Sequence, residues 1–157
     1  MNINERKNWV RLLTAVDAKQ VQQLAQQITT DWELRYKSLP QSGLGMLKLR
    51  DGALQEPFYL GEIPVASAWV ELILPNGDIA EGAAQVMDDS KDLAEAIAVC
   101  DAVLANQLVG HELVTALLQQ GADKIEAEQH NRKQMLKRTH VDFSLLGAAE
   151  GEDDEEN

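Results

Sequence analysis

The middle of the sequence alternates apolar and polar residues, whereas the segments on both sides repeat apolar residues at helical spacing. This order restricts the possible folds more than any other feature. The clearest alternating run is VASAWVELIL (65–74), which is long and contains β-branched residues, as strands do. PNGD (75–78) is a turn sequence whose Asn-Gly pair tolerates positive φ. IAEGAAQVM (79–87) is then predicted to return antiparallel to the first strand.

Strand-like segments also precede this hairpin. WELRYKSL (32–39) is predicted to be a strand that ends at Pro40, QSG (41–43) a turn, and LGMLKLR (44–50) the partner strand of a hairpin. DGALQEP (51–57) is predicted to be a loop, and FYLGEIP (58–64) is ambiguous. The central segment is therefore predicted to be an antiparallel meander of about four strands.

Helices are predicted on both sides of the sheet. An apolar stripe and the cap residue Asp17 indicate two short N-terminal helices. After the sheet, Asp89 or Ser90 caps a helix, and a further helix begins near His111, with Gly121 expected to break or bend it. Beyond Ile125 the pattern is polar, as in a helix that reaches a partner. The predicted class is α+β, an antiparallel meander flanked by N-terminal and C-terminal helices.

Length and charge suggest one domain and an acidic tail. The 157 residues suit a single α+β domain, expected over 1–148, with a disordered acidic tail over 149–157. Of the net charge of −12, six negative charges belong to the tail, which leaves 20 acids against 14 bases, or −6. Such a chain gains little from a phosphate backbone, so nucleic-acid binding is disfavoured. The absence of a signal-type N-terminus and of a long apolar run predicts a cytoplasmic protein.

Reactive constellations are scarce. Glu126 and His130 are four residues apart but lack a third metal ligand nearby, and Cys100 falls on an apolar helical face. Neither a nucleophile elbow nor a phosphate-binding loop occurs. Glu62 with Glu56, Asp78 or Glu81 can form a carboxylate pair that divides acid and base roles. Acids beside strands are also common as solvent-facing edge protection, so Glu62 is only a weak catalytic candidate.

Several segments in order resemble one family, the phosphonate C–P lyase system protein PhnG. They are RKNWV (6–10), GLGMLKLR (43–50), PFYLGEIPV (57–65), NGDIAEGAAQV (76–86), DLAEAIAVCDAVL (92–104) and THVDFSLL (139–146). The resemblance spans about residues 6 to 146, and the order of the motifs makes it specific. Three arginines of the family pattern are replaced here, by Ser67, Asp89 and His140, although Lys91 is retained.

The resemblance implies a subunit of the carbon–phosphorus lyase core complex, which acts in organic phosphonate catabolism. With PhnH-, PhnI- and PhnL-type partners, such a subunit supports transfer of ribose 5-triphosphate from ATP to an alkylphosphonate, with release of adenine. PhnJ-type subunits carry the later cleavage. ATP/Mg and iron–sulfur/SAM chemistry are thus expected in partner subunits and no cofactor in this chain alone, which has one cysteine. The chain itself is expected to be structural within a hetero-oligomer.

The resemblance also suggests contact residues. The candidates for partner or substrate contact are Arg50, Phe58, Gly61, Glu62, Lys91, Val141, Asp142 and Phe143. Gly61-Glu62 is interpreted as a turn at the start of a strand, which fixes the sheet or a partner contact.

Two other functions fit an acidic α+β chain of this size. One is a small acidic secretion-type chaperone, which would expose an apolar groove for an unfolded client. The other is a free-standing hydrolase with a carboxylate pair. The ordered family-like motifs argue against the chaperone, and the lack of a nucleophile or metal set argues against the hydrolase.

Overall fold

The computed structural model describes residues 2–138. They form helices α1 (Arg6–Thr14) and α2 (Ala18–Ile28), strands β1 (Glu33–Arg50), β2 (Pro57–Ile73) and β3 (Ile79–Val86), and helices α3 (Lys91–Ala105) and α4 (His111–Arg138). The strands form one antiparallel sheet in the order β1-β2-β3. This meander flanked by helices confirms the predicted α+β class. Contacts divide the chain into two units, Met1–Ile125 and Glu126–Asn157, and the predicted acidic tail lies outside the described residues.

One face of the sheet is buried in the first unit. Alternate side chains of β2 and β3 point into the core there, namely Ala66, Ala68, Val70, Leu72, Ala80, Ala84 and Val86. The opposite face carries Trp69 and Ile79, which are 44% and 58% exposed. The alternation over 65–73 of β2 and over β3 is the period of a sheet that is covered on one side, which is why these segments were predictable, whereas 58–64, which proves to be the first half of β2, was ambiguous.

Helix α3 lies at the centre of this core. Ten of its fifteen residues are buried, because α1, α2 and the sheet all contact it. The helix approaches β3 so closely that a β-carbon built on Gly82 would lie 2.1 Å from the carbonyl oxygen of Ala98. Gly82 is therefore required for close helix–sheet packing, a role that glycine has where backbones meet.

Helix α4 continues through Gly121, so of the predicted break or bend the break is wrong. A β-carbon on Gly121 would lie 2.0 Å from the carbonyl oxygen of Leu12 in α1. The glycine is buried and lets two helix backbones approach, and it does not end the helix. Within the first unit, Val114, Leu117 and Leu118 of α4 are buried.

Strand β1 is one continuous strand of 18 residues, so the predicted hairpin turn at QSG is wrong. Residues 41–50 pair with 57–67 of β2, with register irregularities on both sides of Ser38 that accommodate Pro40. Neither Gly43 nor Gly45 has a positive φ. The long-range pairing with β2 thus overrides the local turn propensity, and the sheet has three long strands where about four were expected.

Several local predictions are confirmed. The carboxylate of Asp17 accepts hydrogen bonds from the backbone N–H groups of Lys19 and Gln20 at 3.0 and 3.2 Å. The hydroxyl of Ser90, one of the two predicted caps, accepts from the N–H of Leu93 at the start of α3. Gly77 in the PNGD turn has a φ of 87°. These contacts fix where the elements begin, as capping and turn chemistry predict.

Candidate partner-binding site

The β1–β2 ribbon extends well beyond the three-stranded part of the sheet. Strand β3 pairs only with Ala66–Ile73 of β2, whereas β1 and β2 stay paired as far as Arg50 and Pro57. Residues 43–65 therefore form a two-stranded ribbon closed by a six-residue loop, 51–56, which we name the arm. A ribbon of two strands that has neither a third strand nor a helix packed against it is marginally stable in water.

The arm exposes an unusual number of large apolar side chains. Eight of the seventeen exposed large hydrophobic residues of the described chain belong to its 23 residues: Leu44, Met46, Leu47, Leu49, Leu54, Phe58, Tyr59 and Leu60. They lie on both faces of the ribbon, because neighbouring positions such as Met46 and Leu47 are both exposed. A concentration of exposed apolar side chains of this kind is typical of interaction sites.

Four of the predicted contact residues lie on the arm. Arg50 is opposite Pro57 at the end of β1, and Phe58 follows on β2, opposite Leu49. Gly61 and Glu62 lie nearer the middle, opposite Leu47 and Met46. The structure brings these four onto one ribbon, although the prediction came from scattered motifs. Lys91 is elsewhere, as the exposed first residue of α3, and Val141, Asp142 and Phe143 lie outside the described residues.

Gly61-Glu62 is not a turn, so the interpretation as a turn at the start of a strand is wrong. Both residues are inside β2, and Gly61 does not have a positive φ. No atom lies within 4 Å of the position that a β-carbon on Gly61 would occupy. The register skips Leu60, which has no partner in β1, so the irregularity is a bulge beside Gly61. An aromatic–Leu–Gly sequence next to a strand is compatible with either arrangement, and only the pairing with β1 distinguishes them.

Two of the three proposed carboxylate partners of Glu62, Asp78 and Glu81, are engaged elsewhere. Asp78 lies in the β2–β3 turn, where its carboxylate accepts from the side-chain amide of Asn76 at 2.6 Å. Glu81 forms an ion pair with Lys37, whose ammonium also lies 5.6 Å from the centroid of the Trp69 ring. This polar cluster on the open sheet face lowers the pKa of Glu81, chiefly through the hydrogen bond from Lys37.

One functional-looking contact was missed by sequence reasoning. Arg6 donates two hydrogen bonds to the carboxylate of Asp101, at 2.9 and 2.7 Å, and the backbone N–H of Ala83 donates a third at 3.1 Å. The Asp101 side chain is 7% exposed and that of Arg6 is 61% exposed. The contact joins α1, α3 and β3. The signal in the sequence was Asp101, an acidic residue within the apolar face of α3, which needs a hydrogen-bond partner if it is buried.

A cavity of about 290 Å³ lies between α2, α3 and the start of β1. Leu34, Ala96 and Val99 contribute apolar lining, and Glu95 contributes a carboxylate. Burial raises the pKa of Glu95, and hydrogen bonding with the Tyr36 hydroxyl partly opposes this. The cavity's polar lining has no cation, so we assign it no chemistry.

The cysteine that was considered as a nucleophile has a packing role. Cys100 is buried, and burial raises the pKa of its thiol to about 12, which confirms it as a small core residue.

Over residues 2–138, no group of three or more His, Cys, Asp or Glu side chains is arranged to hold a metal ion. None of the helices described between those limits is long and apolar enough to cross a membrane.

Comparison with known proteins identifies the family. The family model described as "Phosphonate metabolism protein PhnG" matches residues 4–147, which include the arm, α3 and the glycine of β3 that α3 packs against. A relative from Rhizobium meliloti (strain 1021), named alpha-D-ribose 1-methylphosphonate 5-triphosphate synthase subunit PhnG, is 33% identical over 115 residues. This second match covers 73% of the present chain and 69% of the relative. The chain therefore belongs to the PhnG family of phosphonate metabolism proteins.

Proposed function

We propose that this chain is a subunit of a multi-protein enzyme of phosphonate metabolism, and that the arm is its principal partner-binding surface. The observation that carries the proposal is the arm itself, a two-stranded ribbon with eight large apolar side chains exposed to solvent. The relative's name describes a subunit of a ribose methylphosphonate triphosphate synthase. A subunit needs a permanent contact, and obligate interfaces are large and apolar.

The finer role follows the resemblance. In this role the chain supports, together with PhnH-, PhnI- and PhnL-type partners, the transfer of ribose 5-triphosphate from ATP to an alkylphosphonate with release of adenine, and PhnJ-type partners cleave the product. ATP/Mg and iron–sulfur/SAM groups belong to those subunits in this proposal. The present chain contributes contacts through Arg50, Phe58, Gly61 and Glu62, and Glu62 is not the reacting group.

The test is a tagged pull-down from source cells grown on a phosphonate as the sole phosphorus supply, read by mass spectrometry. The wild-type chain should recover PhnH-, PhnI- and PhnJ-type partners at near-equal amounts. Leu60→Asp should lower that recovery by about 30-fold or more, because a charge in a buried interface costs at least about 2 kcal/mol. Val109→Asp is the matched control, since Val109 is an exposed apolar residue outside the arm.

Three results would contradict the proposal. Recovery of no partners by the wild-type chain removes the subunit role. Recovery of an exported client instead supports the chaperone alternative, since an exposed apolar arm also suits a client-binding protein. Equal losses for Leu60→Asp and Val109→Asp would show that the arm is not the contact surface.

A further inference from the structure

The sheet has three edges to consider, and two of them are protected against strand pairing. The edge strand β1 contains the cations Arg35, Lys37, Lys48 and Arg50 together with Pro40 and register irregularities. Charged residues, proline and irregular pairing are the features by which natural edge strands avoid further pairing. On the outer edge of β3, the carboxylate of Asp101 in α3 accepts the backbone N–H of Ala83, so this N–H is not open to a further strand.

The third edge is the side of β2 that faces away from β1 along the arm. Strand β3 ends opposite Ala66, and no strand of residues 2–138 pairs with this side of β2 from Pro57 to Val65. Glu62 is the single charged residue of this stretch. Pro57 and Pro64 lack N–H groups and so bound a window of six residues, Phe58–Ile63, whose backbone can pair. All six residues except Ile63 are exposed.

We propose that the free edge of β2 between Phe58 and Ile63 accepts an extended strand of a partner subunit, which continues the row occupied by β3. The proposal rests on the subunit role given above and specifies its contact. The occupant is a strand because a row of unpaired N–H and C=O groups is satisfied by another extended backbone. The exposed side chains of Phe58, Tyr59 and Leu60 then supply contacts on the two faces of that added strand.

A second copy of this chain is the less suitable occupant. Each copy carries a net charge of −12, so two copies repel each other. A partner segment without acidic charge meets no such repulsion. Self-pairing is therefore an outcome that would overturn the proposal, and it is measurable separately because it depends on the concentration of the isolated chain.

Hydrogen exchange tests the backbone contact directly. The isolated full-length chain is compared with the assembly purified from cells grown on a phosphonate. Amides in peptides that cover 58–63 should exchange about 100-fold more slowly in the assembly, since edge amides that gain a strand partner open far less often. Peptides that cover 33–38 of β1 should change less. Unchanged exchange over 58–63, or the same slowing in the concentrated isolated chain, would refute the added strand.

A matched pair of variants separates backbone from side-chain binding. The backbone N–H of Leu74 binds Asp78 on the β3 side of β2, and the register of β2 is regular from Glu62 to Leu74, so alternation places the N–H of Glu62 on that same side, at the free edge. Glu62→Pro, which removes this N–H, should lower partner recovery by about tenfold more than Glu62→Ala does, as the loss of one interfacial hydrogen bond predicts. Equal losses would overturn the strand contact while leaving the arm as the interface. If the wild-type chain recovers no assembly at all, the subunit role itself fails.

Discussion

Gly82 is the position at which a single methyl group should damage the fold most. In Gly82→Ala, the new β-carbon would lie 2.1 Å from the carbonyl oxygen of Ala98 and 2.4 Å from the backbone nitrogen of Ala102. Both atoms belong to the backbone of α3, which cannot rotate away as a side chain can. The helix and the strand must therefore separate by about 1 Å, and overpacking of this kind costs about 3 kcal/mol.

The loss is measurable by thermal unfolding. For a chain of this size, about 3 kcal/mol lowers Tm by about 6–12 °C. Gly61→Ala is the control, because Gly61 is exposed in a strand, lacks a positive φ and has nothing within 4 Å of the added carbon. Its stability should change by less than about 1 kcal/mol, in the stabilising direction. If Gly82→Ala unfolds at the same temperature as Gly61→Ala, the close contact between α3 and β3 is not formed in solution.

Three further predictions concern the core. Cys100, with a pKa of about 12, should react with a thiol reagent only after denaturation, and rapid labelling of the native chain would contradict its burial. Burial raises the pKa of Glu95 in the folded chain. The protonated Glu95 side chain therefore stabilises the fold at pH values below the pKa that Glu95 has in the unfolded chain, and this stabilisation is lost as pH rises through the pKa that Glu95 has in the folded chain. Glu95→Gln should therefore raise the free energy of unfolding near neutral pH and lose that advantage in acid, and denaturant titrations that show the reverse would refute this. Arg6→Gln should lower the free energy of unfolding by about 1–3 kcal/mol, since the buried carboxylate of Asp101 loses two donors. The double variant that also carries Asp101→Asn should lose less free energy of unfolding than the two single variants together. Additive losses would refute the coupling between the two residues.

The elements that the sequence predicted well are those whose stability is decided locally. Asp17 and Ser90 bind the free N–H groups of their own helices, and Gly77 adopts the positive φ of its own turn. The alternation of β2 and β3 follows from burial of one face. Each of these signals lies within a few residues of the feature that it predicts, so a single sequence is sufficient to read it.

The glycines show where local reasoning fails. Gly121 indicates a helix break by propensity, yet its function depends on Leu12, more than a hundred residues away. Gly43 indicates a turn, but pairing with Val65 keeps it in a strand. In each case the competing contact is distant in sequence, and intrinsic propensities of about 1 kcal/mol are easily outweighed by such packing. The family resemblance selected Arg50, Phe58, Gly61 and Glu62 as contact candidates, but the sequence did not show that they share one ribbon.

The arm and the core place opposite demands on the same two strands. From Ala66 to Ile73, β2 has strands on both sides and helices on one face, so the chain itself pairs its backbone and buries the side chains of that face. Between Pro57 and Val65 the same strand pairs with β1 alone among residues 2–138, and most of its side chains are exposed. A continuous strand transmits the twist and direction of the buried half to the exposed half, so the core fixes where the arm points within its own unit. In the proposed assembly, partner binding adds a backbone neighbour and an apolar cover to the arm. This division explains why β2 can carry a long, apolar and unprotected edge along the arm.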